Sequence, residues 1–148
     1  MFATELLMPA PLVAPWCAAT PASLAPVRAI ANACQTSLLT SAMRFVELTP
    51  ERCALVYSEL GRVRWATRSR SFDAHIPEGG LVDPAAAAFD YFDSGAIDEP
   101  SRIVPLGTWI SNAEEHRNAT LLEHASAVTG SGAAFSLLWM PASSAGRV

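Results

Sequence analysis

Apolar residues recur at helical intervals over the first third of the chain and at alternate positions over most of the rest, the change falling near Thr49-Pro50. Phe2, Leu6 and, at looser spacing, Pro9 lie along one helical face with Ala3 and Leu7 beside them. No Ser, Thr, Asp or Asn precedes this stripe as an N-cap, but Pro9 and Pro11 give a stop signal. Residues 12 to 18 read as a short helical turn between proline-rich connectors. Ser23 caps a helix to about Ala33 with Leu24, Val27, Ile30 and Ala31 inward. A further helix follows Thr36-Ser37 to about Leu48 and buries Leu38, Leu39, Ala42, Phe45 and Val46. The connection is so short that the two helices fold sharply on each other, a helix-turn-helix-like pair.

Beyond Pro50, Cys53 to Glu59 and Arg62 to Ser69 are extended runs joined at Leu60-Gly61, a hairpin signal because glycine tolerates the backbone of a tight turn. Residues 84 to 92 form a helix with Asp83 as N-cap and Pro84 in its first position. Ile103 to Ile110 is a strand. Thr120 to Val128 and Ala133 to Met140 make a second hairpin around Gly130-Ser131-Gly132. The expected fold is α+β: N-terminal helices over residues 1–48, an antiparallel five-stranded module over 50–141, and a frayed tail over 142–148.

A hydrophobic content of 51% against 16% charged residues supports a packed core and excludes general disorder. The basic residues are all arginine, and a formal charge of −4 argues against nucleic-acid binding. Cys17, Cys34 and Cys53 are too dispersed for a zinc knuckle and read as reduced, buried thiols of a cytoplasmic protein. A signal peptide needs a basic start and about 7 to 15 uninterrupted apolar residues. Here Glu5 and prolines 9, 11 and 15 interrupt the run, and Trp16 before Cys17 is too bulky for a lipoprotein site. No stretch reaches the roughly 18 apolar residues of a membrane span.

Three constellations carry candidate chemistry. Arg62, Arg64, Arg68 and Arg70 share the even-numbered face of one extended run, opposite Val63, Trp65 and Thr67, either as an anion-contacting strip or as the solvated side of a sheet. Tyr57, Trp65, Trp109, Phe135 and Trp139 are aromatics at strand spacing, either core or the lining of a ligand pocket. His116 and His124, with Glu114, Glu115 and Glu123 nearby, read as solvated polar residues and not as metal ligands. The second helix of the helical pair offers only Arg44 as a basic group and exposes Thr40, Ser41 and Glu47, a poor surface for DNA. Ser37, Ser126 and the cysteines have no base at a recognisable spacing.

Three stretches together resemble the C-terminal part of ImmA/IrrE-family metallo-endopeptidases. Phe2 to Pro9 is similar to the family's E-x-x-A-N-x-F-A-x-x-L-L-M-P helix end. Ala31 to Ser37, with Ala42, Arg44 and Phe45, resembles its downstream L-A-x-x-F-x-V-S-x-x-A-x-x-x-R-L element. Cys53 to Arg68 and Phe135 to Trp139 resemble, more loosely, the GAF-like domain of its longer members. In that family HExxH and a glutamate just upstream of F-A-x-x-L-L-M-P hold zinc, and the HExxH glutamate acts as base. Neither motif is in this sequence, and Glu5 lies on the wrong side of Phe2 to take the ligand's place. The resemblance therefore implies the C-terminal portion of such a peptidase, through a shortened gene or a misassigned start. It implies no zinc or other cofactor in this chain, no hydrolysis, and a helix-turn-helix repressor as partner. Phe2, Leu6 and Leu7, which would pack against the catalytic core, are expected to be exposed. The alternative is a stand-alone module that senses a small molecule through its aromatic interior.

Overall fold

The computed structural model describes residues 6–111, 119–128 and 130–141. Its elements run α1 (Ala10–Cys17), α2 (Leu24–Cys34), α3 (Leu38–Leu48), β1 (Arg52–Glu59), β2 (Arg62–Arg68), α4 (Ala87–Ser94), β3 (Ser101–Pro105), β4 (Thr120–Val128) and β5 (Ala133–Met140), with a 3-10 turn at Leu106–Thr108. The α+β class holds.

The prolines that end the first apolar stripe also begin α1, at its N-cap (Pro9) and in its first turn (Pro11), so this helix starts earlier than its apolar pattern suggests. Proline is tolerated there because first-turn amides have no partner within the helix. The Ser23 hydroxyl accepts from Ala25 N–H at 3.3 Å to start α2. The left-handed Gln35 (φ 56) ends it, while Thr36 N–H reaches back to Ala31 O at 3.1 Å. Ser37 then caps α3 through Thr40 N–H at 3.0 Å. The helical pair thus forms where its polar punctuation falls.

The five strands pair antiparallel throughout, in the order β2-β1-β5-β4-β3. Leu60 (φ 53) and Gly61 (φ 83) both adopt left-handed backbone between β1 and β2, the geometry that suits the twist of a two-residue hairpin loop. The sheet is covered on both faces. Cys53, Leu55, Phe135 and Leu137 meet Val13, Cys17, Leu24, Val27, Ile30, Ala42, Phe45 and Val46 of the three N-terminal helices. Ala54, Val56, Leu121, Ala125 and Leu138 meet Phe72, Ile76, Val82 and Ala86 to Ala88, contributed by the segment between β2 and β3. This double cover is why β1 and β5 are nearly continuous apolar runs while edge strand β2 is mostly half-exposed.

Two elements differ from their sequence pattern. Asp83 accepts from Ala85 N–H at 2.8 Å and closes only a turn, so α4 begins at Ala87 rather than Pro84. The extended run from Ile103 stops at Pro105, and Leu106 turns into the 3-10 segment that puts Trp109 in the core outside any strand. The expectations for Phe2, Glu114, Glu115, His116 and the tail from residue 142 fall outside the described residues.

Leu137 sits between β1 and β4 beneath the helices, whereas Ile103 on edge strand β3 is 71% exposed. Leu137→Ala is expected to cost about 2–5 kcal/mol and Ile103→Ala to stay within about 0.5 kcal/mol, both read by urea denaturation.

Candidate functional site

The turn after Leu6 and Leu7 folds so that neighbouring side chains part company. Met8 is fully buried, while Leu6 and Leu7 remain 66% and 56% exposed, as expected for that pair. Arg44 holds the turn from α3: its Nε donates to Met8 O at 2.9 Å and its Nη1 pairs with Glu47 at 2.9 Å. The Thr36 hydroxyl lies 3.7 Å from Met8 Sδ and donates to Ser41 Oγ at 2.7 Å, while the Ser41 hydroxyl donates to Ser37 O at 2.8 Å. Arg44 and Ser41 therefore point inward, and the exposure expected for Ser41 is corrected by these bonds. With the lone basic group of α3 turned into the core, its surface has no cation to offer a phosphate.

A second polar centre lies on β4. Glu123, expected among solvated polar residues, is fully buried beneath α4. Its carboxylate accepts from Ala87 N–H at 2.7 Å, Ala88 N–H at 3.0 Å and Ser136 Oγ at 2.7 Å. Burying a carboxylate costs several kcal/mol, offset here by three charge-assisted hydrogen bonds and the positive end of a helix. Ala86 cannot cap α4 with its own side chain, so the strand supplies the cap. The neighbouring His124 faces the other layer, where its Nδ1 accepts from Leu24 N–H at 3.0 Å at the start of α2. Burial, and then the Arg28 charge, pull His124 below its ordinary pKa of 6.5. The alternation Leu121, Glu123, Ala125 was the available signal that Glu123 points inward.

The arginine strip does not form one face. The pairing Tyr57 with Trp65 steps to Ser58 with Val63, a β-bulge that leaves Arg64 as the extra residue. Arg62 consequently pairs with Glu59 and Arg68 with Ala54, positions of β1 that alternate between the two faces of the sheet, and Arg70 lies beyond the strand. Arg64 pairs with Glu59 at 3.1 Å, while Arg62 and Arg68 donate to Gly79 O at 3.0 Å and Ala74 O at 2.8 Å.

The five aromatics divide as well. Tyr57, Trp65, Phe135 and Trp139 lie with the helical layer, and Trp109 with the opposite one. Tyr57 and Trp65 stack across the strands with centroids 5.2 Å apart, and Trp139 Nε1 donates to Glu51 at 2.9 Å. None of them lines either of two open surface grooves, one of about 390 Å³ bordered by Glu47, Thr49, Arg70 and Ser71, the other of about 140 Å³ bordered by Arg68, His75 and Glu78.

The described residues do not fit a zinc site. His124 has Nδ1 engaged, Glu123 projects to the other side of the sheet, and no group of three or more His, Cys, Asp or Glu converges among them. Burial raises the Cys17 thiol to about 11 despite the nearby Arg44, and raises Cys53 to about 12 with help from Glu51 and Cys17, leaving both protonated and unreactive at neutral pH. No helix among the described residues is long and apolar enough to cross a membrane. The chain matches no protein-family model and no curated protein.

Two substitutions probe these centres. Glu123→Gln places an amide N–H₂ against N–H and O–H donors and is expected to cost about 2–3 kcal/mol, measured by urea denaturation. Arg44→Leu removes the bond to Met8 O and is expected to raise proteolytic cleavage around residues 6–9 several-fold while cleavage of the strands stays unchanged, read by limited proteolysis with mass spectrometry.

Proposed function

We propose that this chain is the regulatory, non-hydrolytic C-terminal part of an ImmA/IrrE-like metallo-endopeptidase architecture, cytoplasmic and directed toward a helix-turn-helix repressor. One observation carries the reading. Two of the stretches that resemble the family, Phe2 to Pro9 and Ala31 to Ser37 with Ala42, Arg44 and Phe45, contact each other at Met8, which Arg44 grips by its carbonyl and Thr36 touches at its sulfur. Residues far apart in the chain thus make one contact unit.

The outward turn of Leu6 and Leu7 beside the inward Met8 supports the same reading, because a junction with a catalytic domain needs one side docked and the other free. The antiparallel sheet, covered on its second face by α4 and the loops around it, supports a GAF-like regulatory module as the remaining part. The stand-alone sensor is the weaker reading, since its proposed aromatic lining is split between two faces and engaged in stacking and hydrogen bonds.

A chimera tests the proposal: residues 6–141 of this chain are fused behind the zinc-binding helices of an ImmA/IrrE-family peptidase, replacing its own sequence from L-L-M-P onward. The expected outcome is a folded protein that retains about one zinc per chain and zinc-dependent cleavage of the repressor, whereas residues 6–141 alone cleave nothing. A chimera with native-like circular dichroism that holds no zinc would overturn the reading.

A further inference from the structure

We propose that His124 is a pH-sensitive latch between the sheet and the N-terminal helical layer, closed at neutral pH and released in mild acid. The inference rests on the start of α2 and is independent of any family resemblance. The first turn of this helix presents N–H groups at Leu24 and Ala25, while Pro26 has none. Ser23 Oγ serves Ala25, and the Nδ1 of His124, reaching across from β4, serves Leu24 at 3.0 Å. An imidazole nitrogen that accepts from a backbone N–H carries no proton, so the closed latch requires neutral His124 with its hydrogen on Nε2.

Protonation turns the acceptor into a donor. The new Nδ1–H would face Leu24 N–H at hydrogen-bond distance, and the cation would stand at the positive end of a helix. The charges around the ring do not compensate. From α2, Arg28 opposes a second positive charge. Across the sheet, His124 pairs with Ser101 on β3 and Leu137 on β5, neither of them titratable in this range. On β4 itself, Glu123 turns to the opposite face, where its carboxylate is occupied by Ala87, Ala88 and Ser136.

The sign follows from linkage. A histidine held below its ordinary value binds fewer protons folded than unfolded, so its contribution is complete above about pH 6.5 and is lost as the pH falls below it. Loosening then spreads along a defined route. The helix carries Leu24, Val27 and Ile30 into the helical-side core, and the chain beyond its end leads through Thr36 to the residues that hold Met8. The opposite layer, capped by Glu123, takes no part.

Hydrogen exchange of the full chain between about pH 7 and pH 5, corrected for intrinsic rates, tests the latch against His124→Asn, whose side-chain oxygen can accept from Leu24 N–H without titrating. The wild type is expected to lose protection in α2 by up to about tenfold per pH unit below 6.5, with α4 unaffected, and the variant to show a flat profile. Parallel loss in both proteins, or loss spread evenly over α2 and α4, would overturn the proposal. Nitrogen-15 NMR of the wild-type imidazole gives a second reading that does not depend on the variant folding. The Nε2–H tautomer with titration below 6.5 supports the latch, and an Nδ1–H tautomer or titration at or above 6.5 refutes it.

Discussion

Two adjacent side chains on β4 each tie the sheet to one of the two outer layers. Because side chains alternate along a strand, Glu123 and His124 emerge on opposite faces, and each meets the exposed amides at the start of a helix. The two links differ in kind. Glu123 brings a full charge into an interior that tolerates it only because three donors converge there, whereas His124 uses a neutral nitrogen whose capacity to accept disappears on protonation. One face of the sheet is therefore fastened by a charged cap and the other by a conditional one.

That asymmetry matters for the candidate site. The helical layer carries the buried Met8, the Arg44 and Thr36 contacts that retain it, and the exposed Leu6 and Leu7 beyond. This is the layer that His124 reaches from β4, through Leu24 N–H. The opposite layer, with Trp109 and the short α4, is closed over apolar side chains and held through Glu123. On the surface, the bulge at Arg64 splits the arginines, and Arg62, Arg64 and Arg68 satisfy nearby carbonyls or carboxylates.

Local signals were a sound guide wherever the determining contact was itself local. Ser23 and Ser37 start their helices through hydroxyls two or three residues from the amides they serve, and the hairpin at Leu60-Gly61 forms where glycine permits the turn. The same logic failed for α4. Asp83 looks like its cap, but the start of the helix is set by a carboxylate 36 residues further on, brought beneath it by the strand order. The arginine face failed for a related reason, since one extra residue in β2 reverses the alternation and neither composition nor spacing marks where a bulge will fall.

By itself the sequence determined the α+β class, the strands of both hairpins, the helical pair and the inward stripes of its helices, because periodicity and capping are written in neighbouring residues. Only the tertiary structure decided that Glu123 and Arg44 are buried, that His124 closes onto α2, and that the aromatics separate into two layers. These outcomes depend on which surfaces meet across the sheet, and a buried polar group is stable only where distant partners arrive to complete its hydrogen bonds.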